Sequence, residues 1–205
     1  VKGAERAASP FLASLDQHLV RKSPCAVWLI RPGEGAGPAG PRRVLAAVDA
    51  AAPEDAGVNA RIVAAAAGLA GEGAVLRLVH VWEAAGAGLV RLWSETGDAA
   101  AASAGYVEDV RAAHAEALAG AAAAARETAG PGVRVETDLR RGEPREEIAA
   151  AARSFGAELV ALGTIGRAGA PGLIIGNTAE DVLNAVGVSV LAVKPPGWRS
   201  PLDAG

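Results

Sequence analysis

The strongest constraint on the fold is an alternation of short apolar runs with longer segments whose apolar residues recur at helical spacing. Apolar runs of this length predict strands, and the segments between them predict helices. The predicted strands are 43–49, 75–82, 133–139, 159–163 and 188–193, and the predicted helices are 56–69, 106–127, 144–154 and 177–186. Because strands that alternate with helices form a parallel sheet covered on both faces, the sequence predicts a doubly wound α/β fold with five parallel strands.

The expected binding site lies beyond the carboxyl ends of these strands. In a doubly wound sheet, ligands bind where the direction of winding reverses. Asp49 and Gly163 end the two most apolar of the predicted strands. We therefore expect the reversal, and a site, between them.

The glycine-rich stretch 163–178 leaves the fourth predicted strand and leads into the last predicted helix. Gly163 and Gly166 are three positions apart, and nine residues separate Gly166 from Gly176. Glycine lets the backbone approach an anion, and the free N–H groups of a helix start attract phosphate. The stretch therefore predicts a phosphate-binding loop.

A second interpretation of the same stretch is purely structural. The glycines would then only form turns, and Asn177 or Thr178 would cap the helix, with Glu180 completing a capping box.

An internal repeat indicates a tandem duplication. Residues 11–32 align without a gap on residues 174–195, which places Arg31-Pro32 on Lys194-Pro195. Similarity at a domain-sized period is typical of duplicated domains. The chain is therefore expected to hold the last helix and strand of a truncated first domain, a linker and a complete second domain; their ranges are 1–32, 33–41 and 42–198.

The strand predicted for residues 26–30 has no sheet of its own, and 188–193 ends the predicted sheet. Each would leave backbone N–H and C=O groups unpaired, and pairing the two strands satisfies both. We expect an extra helix-strand pairing at this sheet edge, made either within one chain as a pseudo-dimer or between two chains as a homodimer.

Composition excludes several classes of partner. The net charge is -3, so the chain lacks the basic field that nucleic acid binding requires. No run reaches the ~18 apolar residues of a membrane span, and the first residues lack the apolar core of a signal peptide, so we expect a cytoplasmic location. The chain has no methionine, and we expect a fragment or a processed product.

Three kinds of single residue have simple structural interpretations. His80, at a strand end, is expected to be buried and hydrogen-bonded to the backbone, and Cys25 to be a small buried apolar residue. His18 and His114 have no metal-ligand partners at suitable spacing, so no metal is expected.

The segment 83–104 is longer than an ordinary connection, and it is expected to be disordered or to form a flap over a site.

The sequence resembles the universal stress protein family. The resemblance is carried by Ala-Val-Asp49 closing the first strand, Val-His80-Val81 closing the second, Gly142-Glu-Pro144 before the third helix, and the glycine loop. ATP-binding members carry Gly-x-x-Gly, nine residues, then Gly followed by Ser or Thr. The resemblance implies a Rossmann-like fold of the adenine nucleotide alpha hydrolase type, in the branch with two domains per chain.

The resemblance also implies roles for single residues. Asp49 would bind the adenosine part of ATP or a related adenine nucleotide, with the backbone of Val81 at the base and Gly163 beside the ribose. The residues next to these, Ala47, Val48 and Leu162, would line the same site. The phosphates would be held by Gly166, Gly176, Asn177 and Thr178, with Arg167 as a counter-charge. Asn177 departs from the family pattern, which has Ser or Thr there.

The resemblance therefore implies a stress-response binding or regulatory module. One alternative is a member that binds an apolar or lipid-like ligand under the 83–104 segment, or that acts as a dimerisation module. Another alternative is a weak ATPase, against which the sequence offers no general base, Walker-type lysine or pair of metal-binding carboxylates.

Overall fold

The structure is a computed structural model that describes residues 19–31, 39–93, 99–164 and 176–200. One six-stranded sheet carries helices on both faces. The strands are β1 (Val27–Leu29), β2 (Arg43–Ala47), β3 (Val75–Trp82), β4 (Arg134–Arg141), β5 (Leu159–Gly163) and β6 (Ser189–Val193). The helices are α1 (Ala56–Leu69), α2 (Ala87–Trp93), α3 (Ala99–Ala129), α4 (Pro144–Phe155) and α5 (Asn177–Ala185), with a 3₁₀ turn at Pro53–Asp55 before α1.

The strand order is β1-β6-β5-β2-β3-β4. From β2 the chain winds outward through β3 to β4, then crosses to β5 on the other side of β2 and continues to β6. The winding therefore reverses between β2 and β5, as predicted. The doubly wound α/β fold is confirmed, but the sheet has six strands rather than five, because β1 adds to β6 in the antiparallel direction.

Two apolar cores flank the sheet because successive strand residues point to opposite faces. Val44 of β2 packs with α1 and α3, whereas its neighbour Leu45 packs with α4 and α5. Both side chains are fully buried. Val20, from the helical residues 19–22, is also buried in the core formed with α4 and α5. The helical residues 19–22 are thus part of the packed structure.

The connection after β3 differs from its prediction. The helix expected to begin at Tyr106 begins at Ala99, and α2 packs against it. The Ser103 hydroxyl donates to the Ala87 carbonyl at 3.0 Å, and the Tyr106 hydroxyl lies so close to Gly86 that a Cβ there would be 2.7 Å away. The prediction of disorder is therefore wrong for the described part of the 83–104 segment.

The turn before β2 depends on glycine. Gly40 has a φ of +76°, and a Cβ on it would lie 2.7 Å from the carbonyl oxygen of Leu69 at the end of α1. The Gly71 N–H donates to the Pro41 carbonyl at 3.0 Å. Close backbone contact between these two turns sets the distance from α1 to the start of β2.

Two further features complete the fold. Cys25 is exposed, so the prediction that it is buried is wrong: it lies in a turn closed by the Ser23 hydroxyl, before β1 begins. Within the part of the chain that the structure describes, no helix is both long and apolar enough to cross a bilayer.

Candidate functional site

The predicted site residues from the strands meet at one edge of the sheet. Ala47 ends β2, and Leu162 and Gly163 end β5, which is its parallel neighbour. Val81 lies one residue before the end of β3, on the other side of β2. The structure therefore brings the strand-borne residues together at the point where the winding reverses.

Asp49 is held at this edge by a side chain from α1. The Asn59 amide accepts a hydrogen bond from the Asp49 N–H at 3.2 Å and donates one to the Asp49 carbonyl at 2.8 Å. Both backbone groups of Asp49 are thereby satisfied, and its carboxylate is half-exposed. Asn59 was not identified as a site residue from the sequence. Because asparagine is a poor helix former, its position inside a predicted helix is a weak indication of a role other than helix formation.

Val48 is fixed from the opposite side by β3. Its N–H donates to the Val79 carbonyl at 3.0 Å, and its carbonyl oxygen lies 3.1 Å from Nδ1 of His80. His80 is only 2% exposed, so the prediction of a buried histidine bonded to the backbone is confirmed. Its Nε2 lies 2.7 Å from Nδ1 of His114 on α3, a partner that the sequence did not predict.

The glycine loop is closed at its base. Thr164 follows β5 and donates from its N–H to the Val193 carbonyl at 2.9 Å, and the Gly176 N–H donates to the Thr164 carbonyl at 2.8 Å. The chain therefore leaves and re-enters the sheet edge at neighbouring points. Gly166 and Arg167 lie outside the described residues.

Helix α5 begins at Asn177, with Gly176 as the residue before it. Gly176 has no side chain with which to cap the helix, and Glu180 forms an ion pair with Arg21 at 3.2 Å instead of closing a capping box. The structural interpretation based on Glu180 is therefore wrong. Thr178 is exposed in the first turn, where helix N–H groups attract anions; the side chain of Asn177 is not described.

Lys194, directly after β6, is not available as a counter-charge for an anion. Its side chain is buried, and its Nζ donates to the Val20 carbonyl and lies 4.5 Å from the centre of the Trp198 ring. Burial lowers the pKa of Lys194 to about 8. Among the described residues, no group of three or more His, Cys, Asp or Glu could hold a metal ion.

An apolar cleft of about 280 Å³ opens between α1 and α3 beside the same edge. Val48 and Ala50 form its end near Asp49, and most of its other walls are alanine. Its volume results from these small side chains, which keep the two helices from filling the space between them.

A doubly wound sheet with this strand order and an edge site at its winding reversal defines a Rossmann-like α/β protein. The sequence profile of the universal stress protein family matches residues 41–194. The chain belongs to this family.

Comparison with individual proteins also identifies universal stress proteins as relatives of the chain. Over 196 residues, which are 95% of the chain, it is 30% identical to the universal stress protein E homolog of Haemophilus influenzae. A universal stress protein structure from Pseudomonas aeruginosa matches 95% of the chain with a TM-score of 0.62 and 26% identity. The fold is also that of a universal stress protein in complex with cAMP, at a TM-score of 0.50 and 16% identity over 76% of this chain and 98% of that one.

The chain spans 60% of the length of the Haemophilus influenzae relative and 61% of that of the Pseudomonas aeruginosa chain.

Proposed function

We propose that the protein is a stress-response binding module that takes ATP or a related adenine nucleotide at the edge between β2 and β5. The observation that carries the proposal is the fixed position of Asp49. Asn59 bonds both backbone groups of Asp49 and so fixes where its half-exposed carboxylate lies, at the winding reversal where ligands bind in sheets of this kind. A member of the family with the same fold is known in complex with cAMP.

The residues divide between the two parts of the ligand. A carboxylate suits ribose hydroxyls, which donate hydrogen bonds, and the strand ends provide backbone groups for a base. The adenosine part would contact Ala47, Val48, Asp49, Val81, Leu162 and Gly163. The phosphates would meet the glycine loop and the first turn of α5, where the helix end is positive; these residues are Gly166, Arg167, Gly176, Asn177 and Thr178.

The test is a calorimetric titration with ATP, ADP and AMP. Asp49→Asn keeps the shape of the side chain but removes its charge, and we expect it to weaken ATP binding about tenfold, because hydrogen bonds to charged groups contribute ~1.5–3 kcal/mol. Asp109→Asn, on the exposed face of α3, is the matched control and should bind as the unmodified protein does. The absence of saturable heat with all three nucleotides would overturn the proposal.

A second candidate is a member that binds an apolar ligand, which the cleft between α1 and α3 favours. Saturable binding of a fatty acid that Ala121→Phe abolishes, together with no nucleotide binding, would support this candidate. Sustained release of phosphate over many turnovers of ATP would instead support a weak ATPase.

We also propose that the chain contains the end of one universal stress domain, residues 1–32, a linker, residues 33–41, and a second domain, residues 42–198. The pairing of β1 with β6 supports this division. Trp28 pairs with Leu191, which is its own equivalent in the repeat at a spacing of 163 positions. The flanking pairs are reciprocal: Val27 pairs with the equivalent of Leu29, and Leu29 pairs with the equivalent of Val27. Such reciprocity is typical of a two-fold interface between like units.

The basic residues that follow the two strands are equivalent in the repeat, and each bonds across the pairing. Lys194 donates to the Val20 carbonyl, and Arg31, its equivalent in the repeat, donates through Nη2 to the Val186 carbonyl at 3.1 Å. In both cases a basic residue after a strand bonds to the end of the helix that precedes the partner strand. Sedimentation of the chain as a monomer at micromolar concentration would support the intrachain form of this pairing, and a dimer that exchanges β1 between copies would contradict it.

A further inference from the structure

We propose that His114 is a positioning residue for this site, which acts through His80 to couple α3 to the backbone and carboxylate of Val48 and Asp49. The nucleotide test below rests on the proposed function, whereas the spectroscopic test does not.

The hydrogen positions follow from the geometry of the histidine pair. The Val48 carbonyl can only accept, so His80 Nδ1, at 3.1 Å, must donate to it. A neutral His80 then has an accepting Nε2, and His114 Nδ1, at 2.7 Å, must donate to that atom. Both rings therefore carry their hydrogen on Nδ1 when neutral, although free histidine favours the Nε2–H form.

The chain of bonds ends at the candidate ligand group. Nδ1 of His80 lies 3.9 Å from Oδ1 of Asp49, and it holds the carbonyl of the residue before that carboxylate. Asn59, on α1, bonds the Asp49 backbone directly, whereas His114, on α3, reaches this site only through His80 and the Val48 carbonyl. Asp49 is therefore positioned from α1 by a direct contact and from α3 by an indirect one.

His114 is itself restrained on α3. Its ring stacks on the rings of His80 and Trp82, with centroid distances of 4.9 and 5.7 Å. Two turns toward the start of the same helix, Tyr106 contacts Gly86, in the chain that follows β3. A shift of α3 relative to β3 would break the bond between the histidines and release one support of Asp49.

The binding test uses two substitutions that differ only in the donor. His114→Leu removes the hydrogen bond, and we expect ATP to bind about three- to tenfold more weakly, as the loss of one hydrogen bond implies. His114→Asn places an amide N–H near the former Nδ1 and should restore affinity to within about twofold. Glu116→Gln, exposed on the same helix, is the control and should change nothing.

A double-mutant cycle with Asp49→Asn separates positioning from general loosening of the fold. If His114 acts through Asp49, His114→Leu weakens ATP binding in the unmodified protein but has little further effect in Asp49→Asn. An equal loss in both backgrounds, no loss in either, or no rescue by His114→Asn would overturn the proposal.

Nitrogen-15 NMR of the imidazoles tests the coupling without any ligand. At about pH 8.5, where unperturbed histidine is neutral, we expect Nδ1–H forms of His80 and His114, and a shift of the Asp49 amide signal in His114→Leu but not in Glu116→Gln. An Nε2–H form of His80, or an unmoved Asp49 amide, would refute the coupling. If the unmodified protein binds no ATP, the proposed function fails and this measurement alone decides the inference.

Discussion

We expect the free energy of unfolding to rise above neutral pH, and we expect the replacement of Lys194 with methionine to remove most of that rise. Lys194 is 2% exposed, and burial lowers its pKa from the ordinary 10.5 to about 8. The Val20 carbonyl and the Trp198 ring both contact the ammonium, but they do not compensate for its removal from water. The folded chain therefore releases this proton at a lower pH than the unfolded chain does.

The sign and size of the effect follow from linkage. Between pH 8 and 10.5 the unfolded chain binds the proton more tightly, so the free energy of unfolding rises with pH in that window. Below pH 8 the buried ammonium lowers stability by about 3 kcal/mol, and above pH 10.5 this cost is gone. From about pH 7 to about pH 9.5 we expect a rise of about 2 kcal/mol.

The assay is urea unfolding at a series of pH values, followed by circular dichroism, for the unmodified protein and Lys194→Met. Methionine fills a similar volume without a charge, so its stability should change far less over this range. Lys22→Met, which removes a lysine that is only partly buried, is the control and should keep the full rise. If Lys194→Met shows the same rise as the unmodified protein, the burial of this ammonium is not its source.

Three further substitutions test the fold and the site. Gly40→Ala should lower the free energy of unfolding by about 1–3 kcal/mol in thermal melts, because Gly40 has a positive φ and lies close to a carbonyl at the end of α1. Gly68→Ala is the control and should not destabilise, because its new Cβ would meet no atom within 4 Å. In urea unfolding, Val20→Ala should lower the free energy of unfolding by about 1–3 kcal/mol, because Val20 is fully buried, and Leu19→Ala should lower it far less, because Leu19 is 47% exposed. Equal losses would mean that residues 19–22 are not packed in the core. Asn59→Ala removes two hydrogen bonds to the backbone of Asp49 and should weaken ATP binding about tenfold in calorimetry; unchanged affinity would contradict the role given to Asn59.

The sequence was sufficient for the parallel part of the sheet. Buried parallel strands are continuous apolar runs, and the bounds predicted for 75–82 and 159–163 are those of β3 and β5. β2 ends at Ala47 rather than Asp49, and the backbone N–H and carbonyl of Asp49 bond to the Asn59 side chain on α1. The edge location of the site followed from the strand order that these runs imply.

What the sequence could not provide are contacts between distant elements. The pair of His80 and His114 depends on how α3 crosses β3, which no local pattern encodes. The early start of α3 was hidden by an alanine-rich stretch with too few large apolar residues to set a period, although alanine is the best helix former. Glu180 fitted a capping box by spacing, but an ion pair with Arg21, 159 positions away, takes its carboxylate instead.

The pairing of β1 with β6 has a consequence for how association depends on protein concentration. When a sheet edge is covered by a second molecule, each pairing costs translational and rotational freedom and is lost on dilution. In the proposed intrachain form, both strands belong to one chain, so each would meet the other at an effective concentration set by the connecting chain rather than by the amount of protein. An interface of two-fold form would then be independent of expression level, and the edge of β6 would stay covered even when copies of the protein are few.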